Sequence, residues 1–385
     1  MGTPLSPRVL LPIFILALVT GCTSSKQAGW RAWNRGDEAA ALGAWQPLAE
    51  AGDADAQYLV GLVHDEGRAV PEDDRLAAEW YVRAAEQGSA PAANNLGLLC
   101  LQDHGVTCSP ADAARWFRAA ADLGFAAAQL NLALMMLAGQ VPGADATEAV
   151  ELLRIAAGQG DPQAQGLLAT TYAQGVGVAR DDDLALRWLR KAAHAGLASA
   201  QHELGLVYRD GRGVEQDKDT ARTWLQRAAD QGDTRSLFLL GWDDLQEAQG
   251  ADRVVAARAI ERAAELGLAV AQLQMGLMHL RGDAVPQDDA RAAHWLQLGA
   301  QQGAAPAQRD LALLHIRGRG VPQDDVAAFA WLRLASEQGD AVAGERLELL
   351  SRRMAPDAIA TAEARADAWH DRESTSPAML TLAPR

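Results

Sequence analysis

With 385 residues and a formal net charge of −15, the chain is acidic and long enough for two or three ordinary domains. No cluster of lysine and arginine stands out, so we expect no nucleic-acid-binding surface. Charged residues make up 22% of the chain and hydrophobic residues 49%, a balance typical of a soluble protein once the apolar N-terminus is set aside.

The N-terminus has the features of an export signal. Arg8 precedes an apolar run, Val9 to Val19, which is too short to span a bilayer comfortably and ends in small residues. Val19-Thr20-Gly21-Cys22 resembles the lipobox of bacterial lipoproteins, which are cleaved before the cysteine and acylated on it. The resemblance implies a lipoprotein signal peptide over residues 1–21 and lipidation of Cys22. The alternative is an ordinary secreted protein with a free Cys22.

The residues after Cys22 predict where the protein is held. The sorting preference of such lipoproteins concerns Asp at the next position; here the residue is Thr23, which favours the outer membrane, facing the periplasm. Several acyl chains would anchor the chain stably where one would not. We expect residues 22–29 to form a polar tether. Residues 30–52 resemble a partial repeat with apolar residues at helical spacing.

From residue 53 to residue 339 the sequence repeats itself. Most closing glycines are 36 residues apart, and one spacing of 35 ends at Gly267. The closing glycines are Gly52, Gly88, Gly124, Gly160, Gly196, Gly232, Gly267, Gly303 and Gly339. A fixed period of this size predicts a stacked array of similar units, here eight. Each unit has two apolar-periodic segments joined by a glycine-rich, acidic loop, which predicts two helices and a turn.

Two residue columns within the units predict how the helices pack. A small residue recurs in the first helix, as at Gly61, Gly205 and Ala312, although glycine costs a helix about 1 kcal/mol against alanine. A tryptophan recurs in the second helix, as at Trp80 and Trp224. We expect the small residue to allow close helix approach and the tryptophan stripe to belong to the core.

The shared pattern AxAQxxLGxxYxxGxGVxxDxxxAxxWxxxAAxxG resembles the Sel-1-like repeat, a relative of the tetratricopeptide repeat, over residues 53–339. The resemblance implies an all-α, right-handed α-solenoid of about eight helix-turn-helix repeats. It also implies a non-enzymatic scaffold that binds protein partners. Residues 340–372 are expected to form a C-terminal cap, because the last repeat otherwise exposes its apolar face. Residues 373–385 are expected to be a mobile tail.

Two units depart from the pattern. Residues 89–124 lack the glycine loop and carry Cys100 and Cys108, which form either a disulfide in an oxidising compartment or two buried thiols. Residues 233–267 have Ala259 in place of the tryptophan and add Phe238 and Trp242 on one helical face. Trp242 either fills the space left at Ala259 or is an aromatic anchor for a partner.

Motifs for nucleotide binding, metalloprotease chemistry or serine nucleophiles are absent, and the eight histidines form no cluster. We therefore expect no enzymatic activity, no cofactor and no bound metal. The leading hypothesis is a membrane-anchored scaffold in the bacterial envelope. Its candidate partner-binding residues lie on the first helices: Tyr58, Asn94, Asn95, Asn131, His202, Phe238 and Trp242.

Two alternatives remain. The chain resembles the lipoprotein of alginate secretion, which implies a structural role in an envelope export or polysaccharide-secretion machine. It also resembles cysteine-rich Sel-1-like relatives to which β-lactam hydrolysis is attributed. The absence of an SxxK motif, of a metal cluster and of a cysteine pair in each repeat argues against that enzyme.

Overall fold

The computed structural model describes residues 24–102 and 106–374. Within these residues the chain forms twenty α-helices and no strand. They are α1 (Ser24–Trp33), α2 (Glu38–Glu50), α3 (Ala54–Glu66), α4 (Asp74–Glu86), α5 (Ala90–Leu101), α6 (Pro110–Asp122), α7 (Ala126–Leu137), α8 (Ala146–Gly158), α9 (Pro162–Gln174), α10 (Asp182–His194), α11 (Ala198–Asp210), α12 (Lys218–Asp230), α13 (Thr234–Glu247), α14 (Ala251–Glu265), α15 (Ala269–Arg281), α16 (Asp289–Gln301), α17 (Ala305–Arg317), α18 (Asp325–Glu337), α19 (Ala341–Ser351) and α20 (Pro356–Ser374).

The chain divides into two compact units, Met1–Trp188 and Leu189–Arg385. In the first unit each helix from α1 to α8 packs on the next, and in the second unit each helix from α11 to α18 does the same. The odd-numbered helices α3 to α17 open the repeats and are called first helices below; the even-numbered helices α4 to α18 close them and are called second helices. These consecutive hairpins confirm the predicted all-α solenoid class.

The turns within the hairpins follow the chemistry that the sequence indicates. Glycine ends the first helix in the left-handed region at Gly67, Gly175 and Gly211, where φ is +63°, +72° and +71°. An aspartate then caps the second helix: the Asp73 carboxylate accepts the N–H of Leu76 at 2.9 Å. Asp73 is thus the N-cap residue, and Asp74 is the first helical residue of α4.

The recurring glycine of the first helix is required by close packing. A Cβ atom at Gly61 would lie 2.7 Å from the Tyr81 ring, and one at Gly205 would lie 2.7 Å from Leu225. Both partners follow the tryptophan of the second helix by one residue and are buried, with exposures of 0% and 1%. The tryptophans lie at the margin of the core, with Trp80 at 6% and others half-buried. The stripe therefore belongs to the core, as predicted, but the residue after it lies deepest.

A buried glutamine in the first helix connects three helices. Gln272 of α15 donates from Nε2 to the Ala264 carbonyl in the last turn of α14, over 3.1 Å. Its Oε1 accepts Nε2 of Gln302, the residue that ends α16, over 2.7 Å. One side chain thus joins a repeat to the preceding one and fixes its own hairpin. We call this arrangement the glutamine clasp.

The clasp recurs in both units. The donation to the preceding helix is made by six glutamines over 3.1–3.3 Å: Gln57, Gln129, Gln165, Gln201, Gln272 and Gln308. Five of them also accept an amide from a glutamine thirty residues later, over 2.7–3.0 Å: Gln87, Gln159, Gln231, Gln302 and Gln338. The two departing repeats have Ala93 and Leu237 at the first position, so they lack the clasp.

The N-terminal end is helical where a tether was predicted. α1 begins at Ser24, and Lys26 forms ion pairs with Asp53 and Asp55 over 2.8 and 2.9 Å. Trp45 of α2 is fully buried beneath Trp30 and Trp33 of α1, with ring centroids 5.4 and 5.6 Å away. The tether prediction is wrong for residues 24–29, because α1 completes the first hairpin. The predicted signal peptide and Cys22 lie outside the described residues.

The C-terminal cap is formed by a contact between the last helix, α20, and the second helix α18. α20 packs on α18, burying Ala362 and Ala366 completely. Ala330 and Leu334 of α18 are 4% and 2% exposed in this contact, at positions where α12 has Thr223 and Arg227. α20 runs to Ser374, two residues beyond the predicted cap, and the tail from residue 375 lies outside the described residues.

Candidate functional site

A column of large apolar residues recurs on the partly exposed side of the first helices, directly after the small-residue position. In the first unit it comprises Leu62, Leu98 and Leu134, and in the second unit Leu206, Trp242, Leu277 and Leu313. All are half-buried, whereas their helix neighbours toward the second helix are buried. We call this column and the residues beside it the first-helix face of each unit. Thr170 interrupts it with an exposed polar residue.

Four of the predicted partner-binding residues meet in one polar network on the first-helix face of the first unit. Asn131 of α7 donates to Asn94 of α5 over 3.0 Å, and Asn94 donates to Asn95 over 3.3 Å. Asn95 donates to the Tyr81 hydroxyl over 3.2 Å, while Tyr58 stacks on the Tyr81 ring with centroids 5.9 Å apart. The four residues therefore lie together, which helical spacing alone did not indicate.

The network ends on a buried carboxylate. The Tyr81 hydroxyl donates to Asp65 over 3.1 Å, and Asp65 is 3% exposed. Burial, together with the charges of Glu66 and Asp65, raises the pKa of Tyr58 to about 12. Burial and the Asp65 charge likewise raise the pKa of Tyr81 well above its usual value. Both hydroxyls therefore remain protonated donors at neutral pH.

The network divides the predicted asparagines into two classes. Asn94 is 5% exposed, so it supports the network from within and is not available to a partner, contrary to the prediction. Asn95 and Asn131 are half-exposed on the first-helix face. Their amides can bond to a partner's backbone while keeping the internal contacts described above.

His202 is also buried, contrary to the prediction that it contacts a partner. It is 4% exposed, and its Nδ1 lies 2.8 Å from Ser236 Oγ and 3.3 Å from Asp233 Oδ1. Burial opposes ionisation of Asp233, but hydrogen bonds from His202, Ser236 and Arg235 outweigh it and hold the Asp233 pKa well below its usual range. Because Nδ1 faces both groups and Ser236 is fully buried, this is a packing contact between α11 and α13, not a nucleophilic triad.

The aromatic pair of the second unit packs at the margin of the core and does not fill the space at Ala259, and the partner-anchor interpretation stays a prediction. Phe238 and Trp242 stack with centroids 6.1 Å apart, and both are half-buried against the core formed by Leu245 and Ile260. The space at Ala259 is closed by the backbone of α13, since a Cβ at Gly241 would lie 2.8 Å from the Ala259 Cβ. Trp242 therefore covers the core margin and leaves part of its ring exposed.

Cys100 and Cys108 are joined by a disulfide in the structure, with Cα atoms 5.2 Å apart. The bond connects the end of α5 to the segment before α6, in the repeat that lacks both the glycine loop and the clasp. The oxidised pair in the living cell stays a prediction.

The described residues offer no group of three His, Cys, Asp or Glu side chains placed to share a metal ion. None of the helices in residues 24–102 and 106–374 is both long and apolar enough to cross a membrane.

The sequence analysis did not identify Asp65 and Tyr81 as part of this site. Tyr81 occupies the most deeply buried position of the second helix, directly after the tryptophan, and that column could have identified it.

Comparison with known proteins identifies the repeat pattern. The family model of the Sel1 repeat matches residues 54–89, 90–125, 126–161, 162–197, 198–233, 269–303 and 305–340. The matched segments leave out residues 234–268, the repeat that contains Phe238 and Trp242. No curated protein matches the chain.

Two solved structures are similar over most of their length. A protective antigen present in uropathogenic Escherichia coli strains, which displays an SLR fold, is 28% identical with a TM-score of 0.72, covering 94% of this chain and 80% of that one. A Sel1 repeat protein from Oxalobacter formigenes is 32% identical with a TM-score of 0.63, covering 86% of this chain and 95% of that one.

The half-buried ring of Trp242 predicts an intermediate loss of stability on truncation. We expect Trp242→Ala to lower the free energy of unfolding by about 1–3 kcal/mol, less than the 3–5 kcal/mol of a fully buried aromatic residue. Urea unfolding measures this. Val255→Ala is the control, since Val255 is 64% exposed in the same repeat and should change stability by no more than about 0.5 kcal/mol. A melting temperature within about one degree of the parent would show that Trp242 has no packing role.

Proposed function

Because this chain belongs to the Sel1 repeat family, we propose that it is a non-enzymatic scaffold that binds protein partners on the first-helix face and is anchored to the bacterial envelope by a lipid on Cys22. Sel1 repeat proteins generally mediate protein–protein interactions. The envelope location and the anchor rest on the sequence alone, through the apolar run and the lipobox-like residues before Cys22.

The observation that carries the binding proposal is the composition of the first-helix face. Half-buried leucines line it in both units, and in the first unit the half-exposed amides of Asn95 and Asn131 lie among them. Apolar residues with a few fixed polar groups are what a peptide or helix requires of a docking surface, because the apolar area supplies affinity and the amides fix register.

The proposal predicts which side of the repeats contacts partners. A photo-crosslinking residue at Leu98 on the first-helix face should capture a protein from intact envelopes. The same residue at Glu79, exposed on second helix α4, should not. Recovery is measured by mass spectrometry of the crosslinked bands. Equal capture at both positions, or capture at Glu79 alone, would contradict binding on the first-helix face.

The anchor is tested separately. Cys22→Ala should block lipid attachment and leave the unprocessed precursor, measured by incorporation of a fatty-acid probe and by the mass of the N-terminal peptide. Cys108→Ser is the control, since a cysteine in the repeat array should have no effect on labelling. Fatty-acid labelling of the Cys22→Ala protein would show that the lipobox interpretation is wrong.

A further inference from the structure

α1 has a cationic face at one end of an acidic chain. Residues 24–36 contain Lys26, Arg31 and Arg35 and no aspartate or glutamate, whereas the whole chain has a net charge of −15. The charge of this segment is therefore opposite to that of the protein as a whole. Such a local reversal is the electrostatic signature of a surface that meets anionic groups.

Two of the three cations are not used within the described structure. Lys26 is committed to Asp53 and Asp55. Arg31 and Arg35 are exposed, and among residues 24–102 and 106–374 no carboxylate lies within ion-pair distance of either. Gln27 and Arg31 are four residues apart on α1, so they share one exposed side of the helix, and Arg35 is exposed in the turn that directly follows it.

The position of this face in the chain indicates which surface it contacts. Only Thr23 separates Cys22 from the first residue of α1. Two residue steps of at most ~3.6 Å put the start of α1 within roughly 7 Å of the cysteine. A lipid on Cys22 would therefore hold α1 at the headgroup layer, where tethering raises the effective concentration of the helix to the millimolar range or above.

We infer that the exposed surface formed by Gln27 and Arg31 of α1 and by Arg35 in the turn after it lies against the anionic headgroups of the bilayer that holds the Cys22 lipid. The inference rests on the proposed lipidation. The helix supplies a second, electrostatic attachment beside the acyl chains, and it fixes how the first hairpin meets the membrane. Basic residues close to an anionic membrane surface are attracted to it, and the attraction falls off within a Debye length.

The experiment places a probe on the face. The full chain is purified from membranes and reconstituted in vesicles of phosphatidylcholine, with or without one quarter phosphatidylglycerol. Gln27→Cys carries a nitroxide, and its accessibility to a neutral nickel chelate is measured by electron paramagnetic resonance. We expect accessibility to fall at least threefold when phosphatidylglycerol is present. Raising salt from about 0.1 to 1 M, which shortens the Debye length from about 10 to 3 Å, should restore it.

Charge-reversal variants test the assigned residues. Arg31→Glu combined with Arg35→Glu should keep the probe accessible in both kinds of vesicle. The control is Arg281→Glu combined with Arg317→Glu, which makes the same change in net charge on exposed residues of α15 and α17 and should leave the fall intact. Circular dichroism verifies that both variants remain helical.

The outcomes separate this inference from the anchor. A chain that sediments with both kinds of vesicle while position 27 stays equally accessible retains the anchor and overturns the role of α1. Failure to sediment with phosphatidylcholine vesicles overturns the anchor itself and the inference with it. If the Arg31 and Arg35 variants leave the vesicle result unchanged but lose a crosslinked envelope protein, the face binds an acidic protein and the inference is wrong.

Discussion

Five repeats of the array bury a side-chain amide with both of its ends satisfied. An amide taken out of water without partners is costly, so a buried glutamine stabilises a fold only where a donor and an acceptor await it. In the clasp, Nε2 of Gln272 meets a carbonyl of the preceding repeat and Oε1 meets the amide of Gln302. The two bonds therefore join three helices through one side chain.

Two of the three exceptions to the clasp follow the same rule. The third is Gln165, which has Ala195 thirty residues later and whose buried Oε1 has no hydrogen-bond partner. Where the first glutamine is replaced, its partner is replaced too, giving Ala93 with Leu123 and Leu237 with Leu266, and neither repeat retains an unmatched amide at these positions. In both of these repeats the first helix ends without a glycine, at Gln102 and at Ala248. One has the Cys100–Cys108 disulfide, and the other has Arg253, which bonds the Leu245 carbonyl and Asp283 over 2.9 and 2.6 Å. Local cross-links thus occur where the shared one is missing.

Much of this fold could be predicted because the sequence repeats at a fixed period. The closing glycines, the small-residue column and the tryptophan stripe each recur at 36 residues, so helix pairs and their packing could be predicted. The clasp joins two glutamines that lie thirty residues apart. The 36-residue period does not indicate that these two positions are in contact. The burial of His202 and Asn94 depends on Ser236 and Asn131 in the following repeat, and the helicity of residues 24–29 depends on Trp45. Contacts between neighbouring repeats could therefore be identified only from the structure.

The most direct test of the clasp is a double-mutant cycle at Gln272 and Gln302, measured by urea unfolding. Gln302→Leu alone leaves the buried Oε1 of Gln272 without its donor and should cost about 1–3 kcal/mol. Adding Gln272→Leu removes the stranded amide and reproduces the natural Leu237 and Leu266 pair, so the double variant should recover part of that loss. The Ala264 carbonyl keeps the N–H of Gly267 over 3.0 Å. A double variant whose loss equals the sum of the two single losses would contradict the account.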